Sequence, residues 1–274
     1  MKKISLLLFC LSLSACATHS VTSVESGDLE DIRRLSSGHI TSSEQVSGIR
    51  YTALRDAALS LGARAGLAAQ AKELNTMLQR HDRLLSRVFN FDQLLLDSNV
   101  MPPVLVEGRN TLDMKNYDTI RAADRNFTIY RQAHFVSAAP TWRDYLLLQY
   151  KTPETPDRSL LPRNKAEKLI WEHYVDDGWK AGNEQADNIF TESLGRLKRD
   201  FVGMLRYRNL LAQNMVSAPF VATLDLGVTG SNDELVVNDR ILRITEMPTF
   251  TRNPGAWSSE VTPKAVENDN EMRF

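Results

Sequence analysis

The residue with the most definite chemistry in this chain of 274 residues is Cys16, which closes the stretch "MKKISLLLFCLSLSAC". Lys2 and Lys3 precede an apolar run from Ile4 to Leu13, and the small residues Ser14 and Ala15 follow it. A basic start, a short apolar core and small residues before a cut make a secretory signal over residues 1–15. The run is too short to span a bilayer, which takes about 20 apolar residues. Its end, "LSAC", has the pattern of a bacterial lipobox: a branched apolar residue, two small ones and a cysteine. That chemistry needs the thiol. The Cys16 sulfur takes a diacylglycerol, the chain is cut before Cys16, and the freed amine can accept a further acyl chain. The alternative is an ordinary signal peptide cut at "SAC", leaving Cys16 as a free thiol, which is a liability in an oxidising compartment.

The remaining composition agrees with the lipobox reading. Cys10 is the only other cysteine and leaves with the signal, so neither a free thiol nor a disulfide is expected in the mature chain. Two or more acyl chains hold a protein firmly, at ~0.8 kcal/mol per buried CH₂, whereas one holds it weakly. Ala17 in the second mature position favours the periplasmic face of the outer membrane as a sorting rule, since aspartate there retains lipoproteins in the inner membrane. Without Lys2 and Lys3 the formal charge moves from −1 to −3. That is no strong field for nucleic acid or an anionic surface, and no direct nucleic-acid binding is expected.

Further along, no HExxH, GxSxG, SxxK or Walker-type motif occurs, so no catalytic residue is assigned. "WEHYVDDGW" is the densest polar cluster. On a helix His173 and Asp177 share one face, and Glu172 and Asp176 share the neighbouring one. No second His or Cys cluster supplies further metal ligands, so the stretch reads as a solvated helix end flanked by Trp171 and Trp179, with no metal and no cofactor beyond the lipid on Cys16. "RLKRDFVGMLRYR" carries Arg196, Lys198, Arg199, Arg206 and Arg208, but Asp200 interrupts it. A solvated face is the plain reading, and a salt bridge to an acidic partner or a lipid phosphate is the other. Gly62-x-x-x-Gly66 and Gly178-x-x-x-Gly182 let backbones approach closely, in helix packing within the chain or in a contact between subunits.

The elements that position these residues follow from periodicity. Residues 16–47 are rich in Ser, Thr, Gly and acids and read as a lipidated N-terminus and flexible tether. Residues 48–250 read as the folded body and 251–274 as a loose tail. A first helix over about 50–89 keeps Leu54, Ala58, Leu61, Ala65 and Ala68 on one stripe, with Leu74, Leu78, Leu85 and Val88 beyond. "MPPV" at 101–104 breaks the pattern. "FTIYRQAHFV" alternates as a strand, and Thr141 with Asp144 has capping-box spacing. Helical period returns from Arg163 to Val216 through Ala186, Phe190, Leu194, Leu197, Phe201 and Leu205, with a break expected near Gly178 to Gly182. Residues 217–248 read as two or three antiparallel strands, with "VTGSNDE" as a turn. The predicted class is α+β: a mainly helical body with a small antiparallel sheet, made of the C-terminal hairpin plus a central strand.

Six blocks in order, "YTALRDAALSLGARAGLA", "MPPVLVEG", "IRAADRNFTIYRQAHFVSAAPTWRDYL", "WEHYVDDGWKAGNEQADNIF", "RLKRDFVGMLRYRNLL" and "SAPFVATLDLGVTG…NDRILRITEMP", give the sequence a resemblance. It resembles the DotC family, lipoproteins of Dot/Icm type IVB secretion systems, and its conjugation counterpart TraI of IncI-type plasmids. The resemblance covers roughly residues 50–250 and implies a non-enzymatic subunit of the outer-membrane core complex. Implied partners are DotD and DotH, the channel component that the family helps to localise, together with other copies of the chain in a ring and the outer membrane through the lipid. Cys16 is the one functional position carried over. A lipoprotein acting on or binding peptidoglycan is the alternative, and it would need a pocket with convergent acids or a nucleophile.

Overall fold

The computed structural model describes residues 27–38 and 46–258; the signal peptide, Cys16 and the last stretch of the tail lie outside them. Among the described residues, half are helix and a quarter strand, in three separate two-stranded antiparallel sheets. The class is α+β, as the periodicity predicts, although the strands do not share one sheet. The chain divides into two compact units, residues 1–73 with 149–187 and residues 74–148 with 188–274.

Unit 1 is helical. It holds α1 (Leu29–Arg34), most of α2 (Gly48–Arg80) and the first half of α5 (Lys165–Ala212). Leu54, Ala58, Leu61 and Ala65 of α2 are buried against Trp171 and Val175 of α5. Two glycine pairs interlock there. A Cβ on Gly62 would overlap the Val175 carbonyl, one on Gly66 the Trp179 carbonyl, and one on Gly182 the Ala63 carbonyl, while one on Gly178 would lie 2.5 Å from the Leu59 carbonyl. The small residues therefore serve packing within the chain. They also explain why α5 runs unbroken for 48 residues, about 70 Å, where a break was expected. Glycine removes side chains on the face where the backbones meet, and the packing offsets its helix penalty of about 1 kcal/mol. Asn183, with its amide turned to donate to the Gly66 carbonyl (2.9 Å) and accept from Trp179 Nε1 (3.2 Å), ties the same contact.

The tether expected over 16–47 is interrupted by α1. Ile32 is fully buried, Leu35 nearly so, and Trp171 Nε1 donates to the Ile32 carbonyl at 2.9 Å. Arg33 makes a two-pronged pair with Asp176, both contacts at 2.7 Å, and Ser37 N donates to the Pro162 carbonyl at 3.0 Å. Ile32 and Leu35, with Leu29 half-buried beside them, dock this short helix from within a polar stretch, so composition averaged over the segment hides it.

Unit 2 packs α3 (Asp82–Val88), α4 (Trp142–Leu146) and the second half of α5 around Phe91, Leu94, Met101, Val104 and Trp142. The expected capping spacing is used: Asp144 Oδ2 accepts from the Thr141 backbone N–H at 2.6 Å. Short strands β1 (Val100–Met101) and β4 (His134–Phe135) pair with each other. Between them runs a hairpin of β2 (Val104–Asn116) and β3 (Thr119–Arg131), of which only the end of β3 was expected. Its root packs on α5 at Gly203, where a Cβ would come within 2.6 Å of Val104 Cγ1. A second hairpin, β5 (Phe220–Gly230) with β6 (Leu235–Glu246), matches the predicted turn: Ser231 N donates to the Glu234 carbonyl at 2.8 Å. On α5, Met204 and Tyr207 are buried, whereas Leu205, placed on the stripe by the sequence, is exposed. The body extends past 250. Thr251 N donates to the Met215 carbonyl and Ser258 N to the Gln213 carbonyl, both at 2.9 Å.

Candidate functional site

The polar cluster "WEHYVDDGW" is dispersed by the fold. His173 meets Asp177 at 3.6 Å on the exposed side of α5, Glu172 faces Lys168 at 3.7 Å, and Asp176 is taken by Arg33. Among the described residues, no group of three or more His, Cys, Asp or Glu is placed to hold a metal ion. Cys16 lies outside the described residues, so its chemistry remains an expectation from sequence.

The basic stretch of α5 is drawn into unit 2 more than a solvated face would be. Asp200, 2% exposed, accepts from Arg131 Nη2 (2.9 Å), Arg199 Nε (3.0 Å) and the Tyr145 hydroxyl (3.1 Å). Burial, and then the Asp200 charge, push the Tyr145 hydroxyl above its ordinary range. Arg199 lies over the Tyr130 ring at 4.1 Å. These residues, with Asp144 and Arg196, line a cavity of about 500 Å³. Arg206 donates to the Leu105 carbonyl at 2.7 Å, and Arg208 donates to the Gln93 carbonyl. Lys198 is exposed.

A second carboxylate gathers arginines at the root of the β2–β3 hairpin, and the sequence reading missed it. Glu107, with a side chain 7% exposed, accepts from Arg125 Nε (2.8 Å) and Arg109 Nε (3.1 Å) on the same oxygen, Oε1. Arg206 Nη2 approaches the other oxygen at 3.3 Å. Burial pushes the Glu107 carboxyl up, but the hydrogen bonds from Arg125 and Arg109 outweigh it and hold the group below the usual carboxylate range. Arg109 and Arg125 are direct cross-strand partners. The signal for this cluster is the pairing register, which a lone sequence does not display.

The hairpins themselves are largely open. Leu224 pairs with Ile241, and the next pair is Thr223 with Leu242. Successive residues of a strand point to opposite faces, so β5–β6 carries apolar groups on both. Leu224, Leu235, Val237 and Ile241 are each more than half exposed. On the distal part of β2–β3, Leu112 pairs with Ala122 and Met114 with Ile120, which gives one face an apolar patch beside the exposed Tyr117. Two-stranded hairpins are marginal alone in water, and exposed apolar patches of this kind mark interaction sites.

A helical pair closed by glycines and two open hairpins define an α+β protein whose surface, more than any pocket, is its distinctive part. Residues 48–259, over three quarters of the chain, match the TraI family of type IV secretory systems, described as conjugal DNA–protein transfer, and the chain belongs to that family. No curated protein matches it. Among the described residues, no helix is long and apolar enough to cross a membrane.

Proposed function

We propose that the chain is a lipid-anchored, non-enzymatic assembly subunit on the periplasmic face of the outer membrane, in the core complex of its type IV secretion apparatus. Acyl chains on Cys16 supply membrane residence, and the body supplies docking surface. Its neighbours in this reading are DotD- and DotH-type components, with the chain helping to localise the channel-forming one, and further copies of itself in a ring. Family membership supports the apparatus. The observation that carries the docking role is the β5–β6 hairpin, with apolar side chains exposed on both faces and, among the described residues, both outer strand edges unpaired. Such an edge is a template for strand addition, which satisfies its backbone groups, while packing against a neighbouring subunit covers its faces.

The test is a detergent pull-down of tagged chain from native membranes, wild type against Cys16→Ser, with the co-purifying type IV components identified by mass spectrometry. The expected result is recovery of the channel component with wild type, and its loss from the outer membrane in the mutant. A wild-type chain that is freely soluble and recovers no secretion component would overturn the proposal.

A further inference from the structure

Arg109 and Arg125 stand directly opposite each other in the β2–β3 hairpin. Like charges in that position are destabilising. Glu107 relieves the pair, but only in part: one carboxylate serves three guanidinium groups, since Arg206 reaches it as well. The cluster keeps two positive charges in excess. The geometry of the relief is specific. Both arginines spend Nε on the same oxygen, and no bond is made by their Nη groups among the described residues. Their side chains are 75% and 60% exposed. Arg125 is further held by the Phe127 ring, 4.9 Å from its guanidinium carbon. Two planar forks are thus fixed from below, with their outward donors free.

We infer that the Arg109–Arg125 pair is a receptor for a single carboxylate, an aspartate or glutamate side chain on a protein partner. Planar guanidinium groups match a planar carboxylate through paired N–H donors, and a fork already oriented loses less entropy on binding. The carboxylate also removes the like-charge cost of the pair, so binding and relief of repulsion coincide. A polyanion fits less well. The hairpin also carries Asp113, Asp118 and Asp124, so a continuous phosphate backbone or an anionic bilayer meets nearly balanced charge there. Phe127 and Tyr130, the rings a nucleobase could stack on, each have one face covered, by Arg125 and Arg199 respectively.

The inference rests on the assembly reading for the partner, while the site is tested without one. Purified full-length chain is titrated into a fluorescent oligoglutamate peptide and followed by anisotropy. Arg109→Gln with Arg125→Gln is expected to weaken binding roughly tenfold or more, the scale of a lost charge-assisted contact. Arg121→Gln, on the same hairpin opposite Asp113, is expected to leave it within about twofold if bulk charge is not the cause. Equal losses in both, no loss in the double variant, or tighter binding of an oligothymidylate or of phosphatidylglycerol vesicles than of the peptide would each overturn the inference. Should the double variant lose its strand signal by circular dichroism, Arg109→Gln alone carries the test, because that side chain is three-quarters exposed. The double variant is also placed in the membrane pull-down. Partner recovery equal to wild type would overturn the receptor and leave the assembly reading standing.

Discussion

The α2–α5 contact of unit 1 and the β5–β6 hairpin of unit 2 both present regularly spaced small or apolar residues, and they differ in what meets those residues. In unit 1, Gly62, Gly66, Gly178 and Gly182 each lie against a carbonyl of the other helix, and the surrounding Leu61, Ala65 and Val175 are buried. In the hairpin, residues of equal apolarity such as Leu224 and Ile241 remain more than half exposed. Their chemistry is alike, but one set is satisfied within the chain and the other is left for a neighbour. Substitutions in the first should therefore be read out as stability, and substitutions in the second as assembly.

The sharpest break of that contrast is expected at Trp171, which is fully buried in unit 1 and bonded to the Ile32 carbonyl. Trp171→Ala should cost about 3–5 kcal/mol in urea denaturation followed by circular dichroism. Next comes Gly182→Leu, whose side chain has only the Ala63 and Leu67 backbone to displace; a loss of about 3 kcal/mol is expected. An unchanged urea midpoint in Gly182→Leu would show that the two backbones are not in contact.

Glu167 gives a smaller and pH-dependent effect. The Arg50 guanidinium, through paired bonds at 3.0 Å, holds this carboxyl below the usual range against the opposing effect of burial. A depressed carboxylate adds stability above its unfolded pKa of about 4.3, and that stability is lost as pH falls through the lower folded value. Glu167→Gln should accordingly lower stability by about 2 kcal/mol at pH 7 and flatten the acid limb of the midpoint–pH curve. An acid limb as steep as wild type would assign the acid sensitivity to other groups.

Smallest in stability, and largest in assembly, should be Leu224→Ser with Ile241→Ser. The change in folding free energy is expected within about 0.5 kcal/mol, as for exposed positions generally, while recovery of other secretion components falls in the membrane pull-down. A marked loss of thermal stability with assembly intact would reverse the contrast between the two regions.

How far the sequence disclosed all this varies by element, for physical reasons. Helix α2, the Thr141–Asp144 cap and the β5–β6 hairpin are written in local periodicity and turn chemistry, which one chain displays, although the helix expected to run on to Phe89 ends at Arg80 and restarts as α3 at Asp82. The glycine pairs were legible as close-approach sites, yet the same glycines suggested a break in α5, because glycine signals both and only the partner helix decides between them. Strand β2 was missed because Gly108 and Asn110 interrupt the face that carries Val104, Val106, Leu112 and Met114, and its Glu107 has meaning only beside Arg125 across the hairpin. Helix α1 was missed because Ile32 and Leu35 are two residues in a long polar stretch, and their burial depends on Trp171, far along the chain.

The docking of α1 also sets the length of a mooring line. Were Cys16 fastened to the bilayer as proposed, the first docked helix would begin at Leu29 instead of Gly48, and the contour from Cys16 to Leu29 sets an upper limit of about 45 Å on its distance from the anchor. A pull on the anchor would arrive first at the Arg33–Asp176 clasp and the Trp171–Ile32 bond, so these contacts are where the body would bear its load.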